Sequence, residues 1–154
     1  MKDSDKFRDV IEYHQEIFRL FNLSCEVFGK LIILQRFCSI GFIVLNTSTF
    51  VLRYDLFSFI NITSSLFSLM MFNTIGQRVI DANLFLAEAV YNLNWYDADV
   101  KLQKDVLIFL CLTQRVLNIK LGLFGIVSYN TMTLDLKRCY AWSRTISTLV
   151  LKKK

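Results

Sequence analysis

The chain has 154 residues, of which 54% are hydrophobic and 20% charged, and its net charge is +5. A mean hydropathy of +0.41 is high for a small domain that faces water on all sides, which favours a membrane protein over a soluble all-α domain. The basic residues are scattered except for Lys152–Lys154, so the net charge does not indicate a nucleic-acid partner.

An amphipathic helix is predicted over residues 1–30. Apolar side chains recur there at alternating spacings of four and three residues; they are Phe7, Ile11, His14, Phe18, Phe21, Cys25, Phe28 and Ile32. We interpret His14 as a packed histidine in this stripe rather than as a metal ligand or pH sensor. After Lys30 the same helix is expected to continue as a transmembrane helix over residues 31–52, with Arg36 extending toward a membrane interface.

A second transmembrane helix is predicted over residues 56–75, after the short polar connection Arg53–Asp55. Residues 56–77 contain no Asp, Glu, Lys or Arg, and as a helix they would span about 33 Å, enough to cross a bilayer core. This run exceeds the usual length of a helix in a globular protein, which makes the soluble alternative less favoured. Past Gly76 the pattern becomes amphipathic, so this helix too should extend beyond the membrane.

A turn is predicted at residues 92–99, where two Asn and two Asp surround Trp95 and Tyr96. Asp99 is expected to cap a third helix, whose apolar positions are Val100, Val106, Leu107, Leu110, Cys111 and Leu117. A last helix is predicted from about Asn118 to Leu151. It contains Asp135, Lys137 and Arg138, and because charges are costly in lipid these should face protein or a wet cavity.

The sequence contains no motif for enzyme chemistry. It has one histidine, no HExxH, no closely spaced cysteine pair, and none of GxSxG, GxxxxGK[ST] or GxGxxG. We therefore predict no catalytic residue, no metal site and no cofactor. The four cysteines lie in or near apolar segments and are predicted to be buried, reduced thiols.

Several short motifs in one order resemble the carboxy-terminal third of insect odorant receptors. They are Gly76-Gln77, Asp81, Leu86-Ala87-Glu88-Ala89-Val90-Tyr91, Asn94-Trp95-Tyr96, Gln103-Lys104, Gln114, Ser128, Thr131, Leu136-Lys137 and Tyr140, with the His14-Gln15 helix upstream. The resemblance covers essentially the whole chain and corresponds to the last three of seven membrane helices in that family. Met132, Cys139, Ala141 and Val116 depart from the family pattern, and Arg144 is unusual in it.

The resemblance implies a subunit of a ligand-gated, non-selective cation channel that works with a shared odorant co-receptor. Residues 76–117, with the first helix, would form the cytosolic anchor that joins subunits, and residues 120–150 the transmembrane pore helix. By position, Ala141, Thr145, Thr148 and Leu149 would line the pore. Trp95, Tyr96, His14 and Gln114 would belong to the anchor and its hinge. The family's odorant pocket draws on earlier helices, so an odorant partner is expected only for a full-length form.

The expected location is the plasma membrane, as a multi-pass protein in a sensory neuron. Residues 1–28 contain no signal peptide, and the distribution of Lys and Arg favours a cytosolic amino terminus. A small helical membrane scaffold that conducts no ions is one alternative, because the chain is short and Arg144 is anomalous. A fragment of a gustatory receptor, from a related family, is the other.

Overall fold

The computed structural model describes residues 2–115, 117–120 and 125–152, with side chains from Phe7 onward. It confirms the predicted all-α fold. The helices are α1 (Lys2–Arg53), α2 (Leu56–Tyr91), α3 (Val100–Thr113) and α4 (Tyr129–Leu151). The described residues contain no β-strand, although Lys120 and Ile126 form one isolated antiparallel bridge.

α1 is one continuous helix, as expected for a sequence without proline. The predicted apolar stripe is half-buried at every position except Phe28, whose side chain is 54% exposed. The positions between stripe residues are exposed except for Gly29, and two pairs of them form salt bridges, Arg8–Glu12 and Glu16–Arg19. The spacing of apolar residues therefore identified the packed face of this helix.

Tyr54 and Asp55 connect α1 to α2, where the polar interruption was predicted. Tyr54 has a φ of 51°, a left-handed conformation typical of helix ends, and its N–H donates to the carbonyl of Phe50 at 2.8 Å. The carboxylate of Asp55 accepts hydrogen bonds from the N–H of Phe57 and the hydroxyl of Ser58, both at 3.4 Å. Asp55 thus satisfies donors at the start of α2.

The turn between α2 and α3 lies where the sequence predicted it, and Trp95–Asp97 form a short 3₁₀ helix within it. Asp99 caps α3 as expected, because its side chain accepts a hydrogen bond from the N–H of Val100 at 2.9 Å. The apolar face predicted for α3 was partly wrong. Val106 is buried, but Val100, Leu107 and Cys111 are exposed, and Phe109 and Thr113 are buried instead.

The last helix begins later than predicted. α4 starts at Tyr129 rather than near Asn118 or residue 120, because Ser128 caps it: the Ser128 hydroxyl accepts from the N–H of Thr131. Before it, residues 117–120 and 125–128 are not helical, and Gly125 has a φ of 80°. Residues 121–124, which were expected to belong to the helix, lie outside the described residues.

Contacts divide the chain into two compact units. Unit 1 comprises Met1–Phe28 and Arg78–Asn118, and unit 2 comprises Gly29–Gln77 and Ile119–Lys154. In unit 1 the buried cluster contains Val90, Val106 and Phe109. In unit 2 it contains Ile43, Val44, Leu69 and Cys139.

Two of the described helices, within residues 7–53 and 56–97, are long and apolar enough to cross a membrane. In unit 2 many of their large apolar side chains point outward; among them are Leu31, Leu34, Phe37, Phe42, Leu45, Phe59, Phe67 and Met70. A surface of this kind is expected to contact lipid or other apolar protein. α4 contains Asp135, Lys137, Arg138 and Arg144, so its place in a membrane depends on where these charges lie.

The cysteine prediction was correct for pairing and partly wrong for burial. All four cysteines are free thiols. Cys139 is buried and Cys25 half-buried, but Cys38 and Cys111 are exposed, since both lie on helix faces turned away from the buried clusters. Burial raises the pKa of the Cys25 thiol.

Candidate functional site

The four predicted pore-lining residues lie on the exposed face of α4. Ala141, Thr145, Thr148 and Leu149 are all exposed. The hydroxyl of Thr145 donates to the carbonyl of Ala141 at 2.9 Å, and that of Thr148 donates to the carbonyl of Thr145 at 2.8 Å. Because each threonine hydroxyl donates its proton to a backbone carbonyl of α4, its oxygen lone pairs are free to accept from or coordinate a group beside this face.

The opposite face of α4 is a buried stripe of small and polar residues. Asp135, Cys139, Ser143 and Ser147 follow one another at intervals of four, and all are buried. This face packs closely on α1, where the hydroxyl of Ser48 lies 3.4 Å from the carbonyl oxygen of Ser143. Small side chains allow helix backbones to approach each other in this way.

A buried ion pair, which the sequence did not reveal, connects three helices of unit 2. Arg36 of α1 and Asp135 of α4 are 5% and 1% exposed. Arg36 donates to Asp135 Oδ2 through Nε at 2.8 Å and also through Nη2. Asn73 of α2, which is fully buried, accepts from Arg36 Nη1 at 3.5 Å and donates to the carbonyl of Leu69 at 2.7 Å. We call Arg36, Asn73 and Asp135 the Arg36 cluster.

The Arg36 cluster corrects one sequence expectation and agrees with another. Arg36 does not extend toward an interface, because a carboxylate within the helix bundle neutralises it. Asp135 faces protein, as a charge in an apolar segment should, whereas Lys137 and Arg138 are exposed. The only sequence feature that pointed to this ion pair was the presence of a cation, Arg36, and an anion, Asp135, in different apolar segments. The sequence alone could not show that they meet.

The start of α4 is held against α2 by a close backbone approach. A Cβ atom added to Gly76 would lie 2.3 Å from the carbonyl oxygen of Val127 and 2.6 Å from its Cγ1, so only glycine fits there. Val127 is 2% exposed. Beside this contact the hydroxyl of Tyr129 lies 3.3 Å from Thr74 Oγ1. These interactions fix where the non-helical segment ends and α4 begins.

Unit 1 brings aromatic residues together around Phe109, which is 1% exposed. The rings of Phe7 and His14 contact Phe109 edge to face, with centroid distances of 5.7 and 5.2 Å. His14 is half-buried and packs against an aromatic ring, in agreement with its interpretation as a packed histidine. Phe109 itself was missed, because the helical periodicity of α3 was assigned to its neighbours.

The hinge between α2 and α3 is tied together by side-chain hydrogen bonds. Trp95 is half-buried, and its ring N–H donates to the carbonyl of Tyr91 at 3.3 Å. Tyr96 is exposed, and its hydroxyl donates to Asn94 at 3.1 Å. Gln103 donates to the carbonyls of Tyr96 and Ala98, at 2.9 and 3.0 Å. Gln103 therefore fixes the turn, a role that sequence reasoning did not assign to it.

Gln114 contributes through its backbone: its N–H donates to the carbonyl of Leu110 at 3.2 Å, which ends α3. Its side chain is exposed. An open groove of about 440 Å³ lies in the same unit, lined by His14, Phe18, Arg19, Asn22, Leu112 and Arg115 among others. The hydrogen bond from Arg19 lowers the pKa of Glu16, and the same bond raises the pKa of Arg19. No cluster of metal-ligating side chains occurs in the described part of the chain.

Comparisons with known proteins agree with one another. A profile of the family described as 7tm Odorant receptor matches residues 2–137. Odorant receptor 85b of Drosophila melanogaster is 29% identical over 154 residues, covering 96% of this chain and 39% of that protein. Odorant receptor 85c of the same organism is 27% identical over 148 residues, covering 92% and 38%. The chain thus spans about two fifths of the length of these curated relatives.

Proposed function

The chain belongs to the odorant receptor family, and on that premise we propose that it is the carboxy-terminal part of a ligand-gated cation channel subunit that works with a shared co-receptor. Membership of the family favours a receptor over an enzyme, and odorant receptors over gustatory receptors. The observation that carries the proposal is the two-sided character of α4. One face is buried against α1 and α2, and the opposite face presents Ala141, Thr145 and Thr148.

The exposed face of α4 has the chemistry of a weakly selective pore. Threonine oxygens whose protons are bonded within the helix offer partial negative charge to a passing cation without binding it tightly. Leu149, 63% exposed at the end of this face, would give an apolar constriction that gates by losing water. In this proposal the charges of Arg36 and Asp135 do not block the pore, because they neutralise each other on the buried face.

The anchor role is proposed for unit 1, with Trp95, Tyr96, His14 and Gln114 in it. Its aromatic cluster and its hydrogen-bonded turn give it a packed interior and a defined hinge, which suits a domain that joins subunits. The amino terminus would lie in the cytosol of a sensory neuron and the apolar helices in its plasma membrane. Volatile odorant is proposed to bind only in a full-length form, because the family's pocket draws mainly on helices that precede the part of the family that this chain resembles.

Electrical recording from a chimera tests the proposed function. The segment of Odorant receptor 85b that matches this chain would be replaced by residues 1–154 and expressed with a co-receptor subunit. We expect an odor-evoked, non-selective cation current from cells that carry the chimera at their surface. Unmodified Odorant receptor 85b with the co-receptor is the positive control, and the co-receptor alone is the baseline.

Cysteine substitution then tests the pore face. In the conducting chimera, Thr145→Cys should react with a charged, water-soluble thiol reagent and lose most of its current, because a pore position is wetted. Ser147→Cys is the matched control: it lies two residues along the same helix but is buried, and its current should persist. Equal block at both positions would contradict the assignment of Thr145 to the pore.

A non-conducting membrane scaffold remains the second candidate, favoured by the four charged side chains in α4. It predicts a different result in the same recordings. A chimera that reaches the cell surface, assembles with the co-receptor and yields no current across a broad odor panel, while unmodified Odorant receptor 85b conducts, would support the scaffold.

A further inference from the structure

We propose that Arg36 and Asp135 are a positioning pair: their buried ion pair fixes the rotation of α4 about its own axis and so determines which face of α4 is free to line the proposed pore. The consequence for conduction rests on the proposed function. The packing arrangement itself does not, because it concerns only contacts within unit 2.

Both charges of the positioning pair are enclosed within unit 2. Arg36 and Asp135 are 5% and 1% exposed. A buried charge that loses its partner is strongly unfavourable, so an arrangement in which the carboxylate turns away from the guanidinium is disfavoured. The Asn73 amide oxygen, 3.5 Å from Arg36 Nη1, is a weak and neutral substitute for the carboxylate.

The contacts of Tyr129 with Thr74 and of Val127 with Gly76 fix where α4 begins, but the other contacts along the helix define its rotation less well than the ion pair does. Its apolar contact with α1 and α2 passes through Cys139, which belongs to the buried cluster of Ile43, Val44 and Leu69, and through the half-buried Ile146 packed against that cluster. In lipid such contacts are only weakly favoured over contacts with acyl chains. The buried serines bond chiefly to carbonyls of their own helix: Ser143 donates to Tyr140 and Ser147 to Ser143. Those bonds persist at any rotation of α4.

The geometry of an α-helix links the buried stripe of α4 to its exposed face. Each residue advances the side-chain direction by about 100°, so Asp135, Cys139, Ser143 and Ser147 form one stripe. Ala141, Thr145 and Thr148 then lie about half a turn away from its centre. Once the Arg36–Asp135 pair directs the stripe toward α1, these three residues must face outward, and they are exposed.

Arg138 can also neutralise Asp135, and for this reason the restriction on the rotation of α4 comes mainly from Arg36. Asp135 Oδ1 is buried and accepts no hydrogen bond from the described residues, and Arg138 Nη1 lies 3.6 Å from it. Arg138 is on α4 and moves with Asp135, so it can neutralise the carboxylate at any rotation. Arg36 is on α1, and a rotation of α4 leaves it without a counter-ion. The cost of leaving Arg36 unpaired therefore opposes rotation of α4.

Disulfide formation in membranes measures the rotation of α4 without requiring conduction. In the chain inserted in lipid, with the four native cysteines replaced by alanine, one cysteine is placed at Ser48 and a second at either Ser143 or Thr145. Ser48 Oγ is 3.4 Å from the Ser143 carbonyl, whereas Thr145 is exposed. Under mild oxidation we expect the Ser48–Ser143 combination to form a disulfide about tenfold more readily, a strong population bias.

The decisive variant replaces both charges by apolar residues of similar size, Arg36→Met with Asp135→Leu. Such replacements of buried pairs usually preserve folding, so α4 should stay inserted while its rotational preference falls from about tenfold to about twofold. Lys137→Met is the matched control: it removes an exposed charge from the same helix and should leave the preference unchanged. Resistance to alkaline extraction verifies insertion of every variant.

Two results would overturn the proposal. One is a parent chain that shows no preference between Ser143 and Thr145, and the other is the apolar double variant keeping the parent's preference. The proposed function fails separately. If the preference is lost in the double variant but the chimera is silent, the positioning pair stands and the channel proposal does not. If the chimera conducts and the double variant keeps its preference, the reverse holds.

Discussion

Both units bury apolar side chains and some amide and hydroxyl groups, such as Asn83 and Thr113 in unit 1, but among the described residues the buried charges, Arg36 and Asp135, belong to unit 2. The fully buried large side chains are Phe109 in unit 1, and Val127, Asn73 and Asp135 in unit 2. Unit 1 also carries salt bridges on its surface, while unit 2 has its ion pair inside and large apolar side chains outside. The reversed pattern of unit 2 is that of helices surrounded by lipid, where small and polar residues hold the interior together.

Removing one charge from unit 2 should have the largest effect on stability. Asp135→Leu leaves Arg36 buried without a carboxylate, and such changes typically cost about 3–5 kcal/mol. We expect the thermal unfolding midpoint of the chain in lipid nanodiscs to fall steeply. Lys137→Leu, an exposed charge two residues away, should change it little. Similar midpoints for the two variants would mean that Arg36 is not truly enclosed.

Unit 1 should instead be most sensitive to loss of an aromatic side chain. Phe109→Ala removes the ring that Phe7 and His14 contact, at a cost of about 3 kcal/mol for a buried phenylalanine. Hydrogen exchange should increase in unit 1 and stay near its original level in α4, because unfolding can be local. Ile108→Ala, at a neighbouring position that is 61% exposed, is the control. Faster exchange throughout both units would contradict the division into two interiors.

The sequence predicted helices well where one physical signal dominated. Absence of proline, charge-free runs and a regular apolar stripe gave α1 and α2, and Asn and Asp residues marked the turn before Asp99. The start of α4 at Tyr129 depended in part on the tertiary structure. The Ser128 cap is a local interaction with Thr131, but the contact between Gly76 and Val127 joins residues far apart in the sequence.

The candidate site was predictable only in part, for the same reason. Positions along α4 could be carried over from a resemblance, and the structure places Ala141, Thr145, Thr148 and Leu149 on one exposed side. The residues that set this orientation could not be found by local pattern. Arg36 and Asp135 are 99 positions apart. Considered separately, each is a single charged residue that interrupts an apolar segment, with no local pattern that indicates its partner.

Glycine substitutions should have the smallest effect on stability, and they compare how closely helices pack at two positions within unit 2. Gly76→Ala puts a Cβ 2.3 Å from a backbone oxygen, and overpacking of this kind costs about 1–3 kcal/mol. Gly41→Ala is the matched control in α1 of the same unit, where nothing lies within 4 Å of the added atom; it should stabilise the helix by about 0.5–1 kcal/mol. The two variants should therefore shift the unfolding midpoint in opposite directions.

Destabilisation by both would show that flexibility at glycine matters in unit 2, while stabilisation by both would mean that Val127 can move away from α2. Opposite shifts would confirm that the backbone carbonyl of Val127 packs directly against Gly76, whereas Gly41 has free space beside it.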